Sequence, residues 1–352
     1  MTTTTIRPPT HPDQHDHDRG LQAALAAVAE QFGPTVVASP NGTASTPPAV
    51  ITSGSLALDH ALGVGGVPRG RVTEVYGPEG VGKTTLTLSI LAQAQKAGGT
   101  GVFVDAEHAL DLAWAKRCGV DTDRLLLCRP ESGEQALQVA SLLIASGSVD
   151  ALVIDSVAAL VPQAELDGKI GEHFAGVQAN LLSQALRKLA GQIARAGVAV
   201  VVTNQLRQRA GVAGTPTYTA GGRALGYYAS VRLHLHHPES VTERDRVLGA
   251  RVRAQVVKNK LAPAWQACEV ELHADHGLSA EAGLLDLGLD AGLLAQRGAW
   301  LSYGTVRLGQ GRQAARRHLR DHPELASQLD RQLRARLLAT TDHDPAVAAA
   351  AS

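Results

Sequence analysis

Eight consecutive residues, Gly77-Pro78-Glu79-Gly80-Val81-Gly82-Lys83-Thr84, reproduce the spacing G-x-x-x-x-G-K-T. Glycines at such positions let the backbone wind so that several N–H groups converge on one anion. A helix that starts there adds the partial positive charge of its N-terminus. Lys83 is then set to reach the outer phosphates of a nucleoside triphosphate, and the Thr84 hydroxyl to hold Mg2+. The alternative is a fortuitous Gly-rich turn, which becomes remote when a strand precedes the motif and a helix follows it.

Three further segments end apolar runs with polar groups. Ala151-Leu152-Val153-Ile154-Asp155 closes a buried-strand pattern with a carboxylate, placed to bind Mg2+ through water. Val102-Phe103-Val104-Asp105-Ala106-Glu107 closes another. Glu107 is then placed to orient and activate a water, although either acid there also suits a helix cap, and spacing leaves both readings open. A third run, from Val198, ends in Thr203-Asn204-Gln205; an amide there can bond a γ-phosphate and pass its presence to the loop beyond. That loop, residues 205–223, carries Arg207, Arg209, four glycines and a proline without helical or strand period. It suits a segment that orders on binding, or a solvated lid. Residues 163–176, after the Asp155 run, form a second such segment.

These groups need a scaffold. Between residues 51 and 273, short Val/Leu/Ile runs (71–76, 100–105, 125–128, 151–154, 198–203) alternate with helical patterns (84–96, 134–145, 178–196). That order predicts an α/β fold with a mostly parallel twisted sheet covered on both faces. Runs at 230–235, 251–258 and 268–273 follow without intervening helices and predict an antiparallel extension. Residues 1–18 read as a disordered tail in which His11, His15 and His17 lack a scaffold for metal. Leu21, Ala24, Leu25, Val28 and Phe32 recur at helical spacing up to Gly33-Pro34, within an N-terminal helix and linker at 19–50. A small C-terminal domain is expected at 274–338, Gly-rich and then helical from 313, and a tail at 339–352.

Composition narrows the function classes. Basic and acidic residues balance at 33 each, so any polyanion must be met by a local patch. Cys118, Cys128 and Cys268 have no C-x-x-C spacing, which suits neither a disulfide framework nor a zinc site. The N-terminus lacks a signal-peptide pattern, and no apolar run has transmembrane length. A cytoplasmic protein without membrane contact is expected.

The chain resembles the bacterial RecA recombinase family. The resemblance rests on the phosphate loop together with Thr52-Ser-Gly-Ser-Leu-Ala-Leu-Asp59, Asp105-Ala-Glu-His-Ala-Leu-Asp111, Asp155-Ser-Val-Ala-Ala-Leu160, Ser183-Gln-Ala-Leu-Arg-Lys-Leu-Ala190, Tyr228-Ala-Ser-Val-Arg-Leu233 and Val257-Lys-Asn-Lys260. It implies a P-loop NTPase (RecA-type) core with an N-terminal helix and a small α+β C-terminal domain. It implies ATP and Mg2+ as cofactors, held by the loop residues, Thr85, Asp111, Trp114 (suited to stacking on adenine) and Asp155. Glu107 would activate water, Gln205 would sense the γ-phosphate, and Lys258 and Lys260 would reach the ATP of an adjacent subunit. Residues 163–176 and 205–223 would contact DNA, with Arg187, Arg207, Arg209, Gly211, Gly221, Gly222 and Arg223 at the phosphates. The implied partners are single-stranded and double-stranded DNA, further copies of the chain in a helical filament, and an SOS-type repressor. Departures are Gly226, where the family carries a basic residue, and Asn180, where it carries arginine. The second loop is one residue shorter and lacks an apolar wedge near Val212-Ala213. The passage after Gly33 lacks the usual basic, serine-containing pattern, and the acidic tail is replaced by residues 345–352. They motivate an alternative, a catalytically weakened paralogue acting as a DNA-binding filament protein or recombinase modulator.

Overall fold

The computed structural model describes residues 14–33, 36–37, 48–207, 218–243 and 246–338. Among the described residues of the first unit, residues 1–47, lies one helix, Gln14–Phe32. It starts inside the segment read as a tail, because apolar periodicity registers only from Leu21 and is blind to a polar first turn. It ends where Gly33 takes a positive φ of 95° and its N–H bonds Ala29 O, a conformation open to glycine. Leu21 and Phe32 of its apolar stripe are exposed.

The second unit, from Pro48, is built on one 11-stranded sheet. Its central strands are parallel: Leu126–Cys128, Gly101–Asp105, Ala151–Asp155, Ala199–Arg207, Arg71–Gly77 and Val231–Leu235, in that spatial order. Arg246–Asn259, Ala267–His273 and Gly277–Leu278 continue it antiparallel. Side chains alternate between the faces. Val72, Val102, Val104, Leu152 and Val200 pack under helices Gly133–Ala145 and Val177–Ala196. Val75, Phe103, Val153, Val201 and Leu233 pack under helix Lys83–Lys96. Burial on both faces explains why these strands read as continuous apolar runs.

The pattern left some elements unread. Helices Leu56–Ala61 and Leu112–Arg117 have 6 residues each, too short for a period to show. The antiparallel strand runs from Arg246, paired with Glu239–Glu243, rather than from 251. Residues 163–176 are not loop throughout: Gln163–Leu166 is helical. The large sheet continues past residue 274, because the short strand Gly277–Leu278 pairs back onto it.

Beyond it lies a smaller module with its own core. Helix Ala280–Asp290 is followed by a three-stranded antiparallel sheet (Leu294–Arg297, Trp300–Tyr303, Val306–Gln310). Two helices follow, Arg312–Asp321 and Pro323–Leu337, so the stretch read as helical from 313 is broken at Pro323, which cannot continue a helix but suits the first position of the next. Leu56 joins this second core with Leu284, Leu301, Leu319, Leu329 and Leu333. None of the three cysteines is bonded to another.

Candidate active site

Parallel pairing aligns the strand ends. Gly77 stands opposite Gln205, and Asp105 opposite Asp155. The polar residues that end separate apolar runs therefore meet along one edge of the sheet, the carboxyl edge where open α/β sheets hold ligands.

At the phosphate loop, Gly80 and Gly82 adopt positive φ of 71° and 93°. A Cβ on Gly77 would collide with the carbonyl of Leu235, and one on Gly82 with the Leu272 side chain, so close approach as well as torsion demands glycine there. The Val81 side chain is buried, Pro78 is partly exposed and Glu79 is exposed. Thr85 is buried in the first turn of helix Lys83–Lys96. Lys83 Nζ donates to the carbonyls of Pro78 (2.6 Å) and Gly77 (3.2 Å). Desolvation lowers the pKa of its ammonium, opposed by the charges of Asp155, Glu107 and Glu79.

Thr84 Oγ1 donates to Asp155 Oδ2 at 2.6 Å, and Thr203 Oγ1 to Asp155 Oδ1. Burial raises the Asp155 carboxyl above its ordinary range, while those two hydroxyls pull it down. A hydroxyl and a carboxylate oxygen at hydrogen-bond distance form an all-oxygen pair of the kind a hard divalent cation takes. Glu107 is exposed at the same edge and accepts from Ser156 Oγ at 2.6 Å. Of the two acids that close the 101–105 run, neither caps the following helix; Asp105 turns to the loop before it. Asp105 is buried, accepts the N–H groups of Ala109 (3.1 Å) and Leu110 (3.2 Å), and pairs with Arg129. Asp111 caps the helix Leu112–Arg117 by accepting from Ala113 N at 2.8 Å. Trp114 in that helix is half-buried on the core, with the Arg117 guanidinium 5.0 Å from its ring centre.

Behind Gln205 lies a cluster that pattern reading missed. Glu74, fully buried in the middle of the Arg71–Gly77 strand, accepts from Arg232 Nε (2.5 Å) and Asn204 Nδ2 (2.9 Å). Asn204 in turn accepts the N–H of Gln205 at 2.9 Å and donates to Ala220 O at 3.0 Å. A lone acid inside an apolar run was the available signal. Ser156 and Thr203, which donate to Glu107 and Asp155, gave no signal beyond lying in or beside those runs.

Residues beside the two segments meet around helix Val177–Ala196. Gln178 Nε2 donates to the carbonyls of Val157 (3.1 Å) and Leu160 (3.0 Å), tying helix Val177–Ala196 to the turn after Asp155. Gly221 and Gly222 press on the same helix at Leu182 and Ala179. Arg187 and Arg223 are exposed, as is Asn180. The backbone of Arg207 pairs with Tyr218. Arg209, Gly211 and the rest of 208–217 lie outside the described residues, as do the 1–13 and 339–352 tails.

Lys258 and Lys260 stand elsewhere. Lys258 pairs with Arg232, which pairs with Glu74; Lys260 N–H bonds Ser230 O, and Ser230 N–H bonds Val72 O. They are thus three and five residues short of Gly77 along the sheet, about 10 and 17 Å at the rise of a strand. Lys258 Nζ donates to the carbonyls of Gly226 (2.6 Å) and Tyr227 (3.1 Å), and Lys260 Nζ to Tyr227 O (3.1 Å). Burial, then the charges of Lys260 and Arg232, lower the Lys258 pKa.

Comparison with known proteins covers most of the chain. The RecA N-terminal domain model matches residues 19–279 and the RecA C-terminal domain model residues 282–338. Proteins named "Protein RecA" are similar over most of the chain. The one from Amycolatopsis mediterranei is 47% identical over 93% of this chain and 94% of its own length. That from Nocardioides sp. is 49% identical over 90% and 91%, and that from Gluconobacter oxydans 47% over 91% and 93%.

Proposed function

The chain belongs to the RecA family, and from that premise we propose that it is a DNA-dependent ATPase that polymerises on single-stranded DNA and carries out homologous pairing and strand exchange in recombination and repair. The observation that carries the proposal is the split site. Lys83, Thr84, Asp155, Glu107 and Gln205 share one sheet edge, while Lys258 and Lys260 lie well short of it. The nucleotide those lysines serve then belongs to another copy of the chain, which is how a head-to-tail polymer couples assembly to ligand.

ATP would lie in the loop, with Lys83 at its outer phosphates, Asp111 and Trp114 towards the base, and Mg2+ between Thr84 and Asp155. The metal supplies neutralisation of charge on the phosphates. Ser156 holds Glu107 at the position from which it orients a water, and Thr203 fixes the second Asp155 oxygen. The Gln205 side chain would feel the γ-phosphate from the strand end opposite Gly77. Its backbone link through Asn204 to Ala220 carries that contact to the segment ending in Gly221, Gly222 and Arg223. DNA phosphates would be met by these residues with Arg187, Arg207, Arg209 and Gly211. A neutral chain suffices, since a single strand needs only a local groove.

The similarity over nine-tenths of the chain favours this function over that of a weakened paralogue. Action in the cytoplasm fits an ATP-fuelled DNA partner, and no helix among the described residues is long and apolar enough to cross a membrane. The test is ATP turnover with and without single-stranded DNA, beside strand exchange between circular single strands and linear duplex. Nucleotide binding without stimulation by DNA would overturn the proposal. Stimulated self-cleavage of an SOS-type repressor by the DNA-bound filament is its outermost part, read by incubating the two with ATP and DNA.

A further inference from the structure

The nucleotide reading assigns no role to the block Thr52-Ser53-Gly54-Ser55-Leu56-Ala57-Leu58-Asp59, yet Ser53, Ser55 and Asp59 are fully or nearly fully buried. The Asp59 carboxylate collects the segment around itself. Oδ1 accepts from Ser53 N (2.8 Å) and Ser53 Oγ (2.7 Å), and Oδ2 accepts from Thr52 Oγ1. Ser55 caps the short helix Leu56–Ala61 that carries Asp59.

This knot touches two distant elements. On one side, Ser89 in helix Lys83–Lys96 donates its Oγ to Ser53 O at 2.8 Å. Gly54, at φ 91°, lies so close that a Cβ there would stand 2.5 Å from Ser89 Oγ. On the other side, Arg334 in helix Pro323–Leu337 donates Nη2 to Asp59 Oδ2 at 3.0 Å and to Thr52 Oγ1 at 3.4 Å. Its Nε is held by Asp330 at 2.8 Å. A continuous chain of hydrogen bonds therefore runs from the helix that begins with Lys83 and Thr84, through Ser53 and Asp59, to the last helix of the small module.

We propose that Asp59 and Arg334 are positioning residues for nucleotide binding: through Ser53 and Ser89 they let the small C-terminal module set the seat of the phosphate-loop helix. The inference rests on the nucleotide reading of that loop. Ser89 is six residues from Lys83, about 9 Å along a rigid helix, so a displacement at Ser89 arrives at Lys83 and Thr84 with little loss. A misplacement of about 1 Å at such groups costs up to ~10²-fold. Plain attachment of the module needs no such chain, because Leu56 already packs into its apolar core. By reciprocity, nucleotide in the loop must tighten the hold on helix Pro323–Leu337 as much as that hold tightens nucleotide.

The test uses the full chain with Arg334→Met, Arg334→Lys, Ser89→Ala and the Ser89→Ala/Arg334→Met double variant. Equilibrium binding of a fluorescent ATP analogue with Mg2+ is measured without DNA, KM and kcat with single-stranded DNA, and thermal unfolding for each. Arg334→Met is expected to weaken binding and raise KM by about 5-fold or more, the lower range of coupling between sites, with kcat within about twofold. Arg334→Lys recovers part of the loss. Ser89→Ala acts in the same direction, and the double variant is no worse than the more severe single one, because both interrupt one chain. Unchanged affinity in an Arg334→Met protein that melts earlier would overturn the inference, as would additive losses in the double variant. A wild-type chain that binds no nucleotide would overturn the reading of the loop itself, and is recognised before any variant is made.

Discussion

Replacing Glu74 by glutamine probes the cluster behind Gln205. Glu74 is fully buried in a central strand, and its carboxylate accepts from Arg232 at 2.5 Å and Asn204 at 2.9 Å. Glutamine keeps the volume, but it removes the charge and turns an amide N–H2 towards one of two donors. Neutralising one partner of a buried ion pair costs about 3–5 kcal/mol. The Arg232 side chain is 24% exposed, so water recovers part of its charge, and about 2–3 kcal/mol is the expected loss. At ~2 °C per kcal/mol for a large chain, Tm should fall by about 4–6 °C. Asn204 also loses an anchor, and a contribution of about 1 kcal/mol there lowers DNA-stimulated turnover ~5-fold while nucleotide affinity stays put. Thermal unfolding and DNA-stimulated ATPase read both effects. A Glu74→Gln protein melting within about 1 °C of wild type with full stimulation would refute the reasoning.

At Gly226 an added Cβ would meet nothing nearer than Arg232 Cζ at 4.0 Å. Gly226→Lys should therefore leave Tm within about 1 °C or raise it, lysine being the better helix former, and should increase DNA-stimulated turnover and strand exchange; loss of stability or no gain would count against the room assigned there. Because burial raises the Asp155 carboxyl and the Thr203 hydroxyl helps hold it down, Mg2+-dependent nucleotide binding should fail on acidification above the ordinary aspartate range. Thr203→Val should move that failure to still higher pH, read from analogue binding against pH; a shift to lower pH would contradict it. Glu271 is buried, which alone would raise its carboxyl, but hydrogen bonds with His273 and Arg251 and the charge of Arg312 bring it from 4.5 to about 2. A lowered carboxylate stabilises above its unfolded pKa and loses that stabilisation as pH falls towards 2. Glu271→Gln should then cost about 3 kcal/mol at pH 7 and flatten the fall of stability between pH 5 and 2, in denaturant titrations.

Much of the central sheet was legible because its strands are buried on both faces and so appear as unbroken Val/Leu/Ile runs. The same runs marked the sheet edge, since Asp155 and Gln205 stand where apolar sequence stops at the aligned strand ends. What stayed hidden is relational. Which of Asp105 and Glu107 the chain itself engages depends on which backbone amides curl back to meet the carboxylate, and the Ala109 and Leu110 N–H groups meet Asp105. Glu74 is visible as an anomaly, but its partners Asn204 and Arg232 are 130 and 158 residues away, beyond any local period. The separation of Lys258 and Lys260 from the loop emerges only from strand register. The buried role of Asp59 likewise needs Arg334, 275 residues on.

The split site is tested most directly by mixing two variants, Lys83→Ala and the Lys258→Ala/Lys260→Ala double variant, and measuring DNA-stimulated ATP turnover. Each alone should be inactive, the first lacking the loop lysine and the second the lysines offered to a neighbour. In a random head-to-tail polymer of equal parts, about a quarter of the junctions join an intact loop to intact lysines, so the mixture should regain ~25% of wild-type turnover. A mixture as inactive as its components, although both still assemble on DNA, would contradict a site shared between subunits.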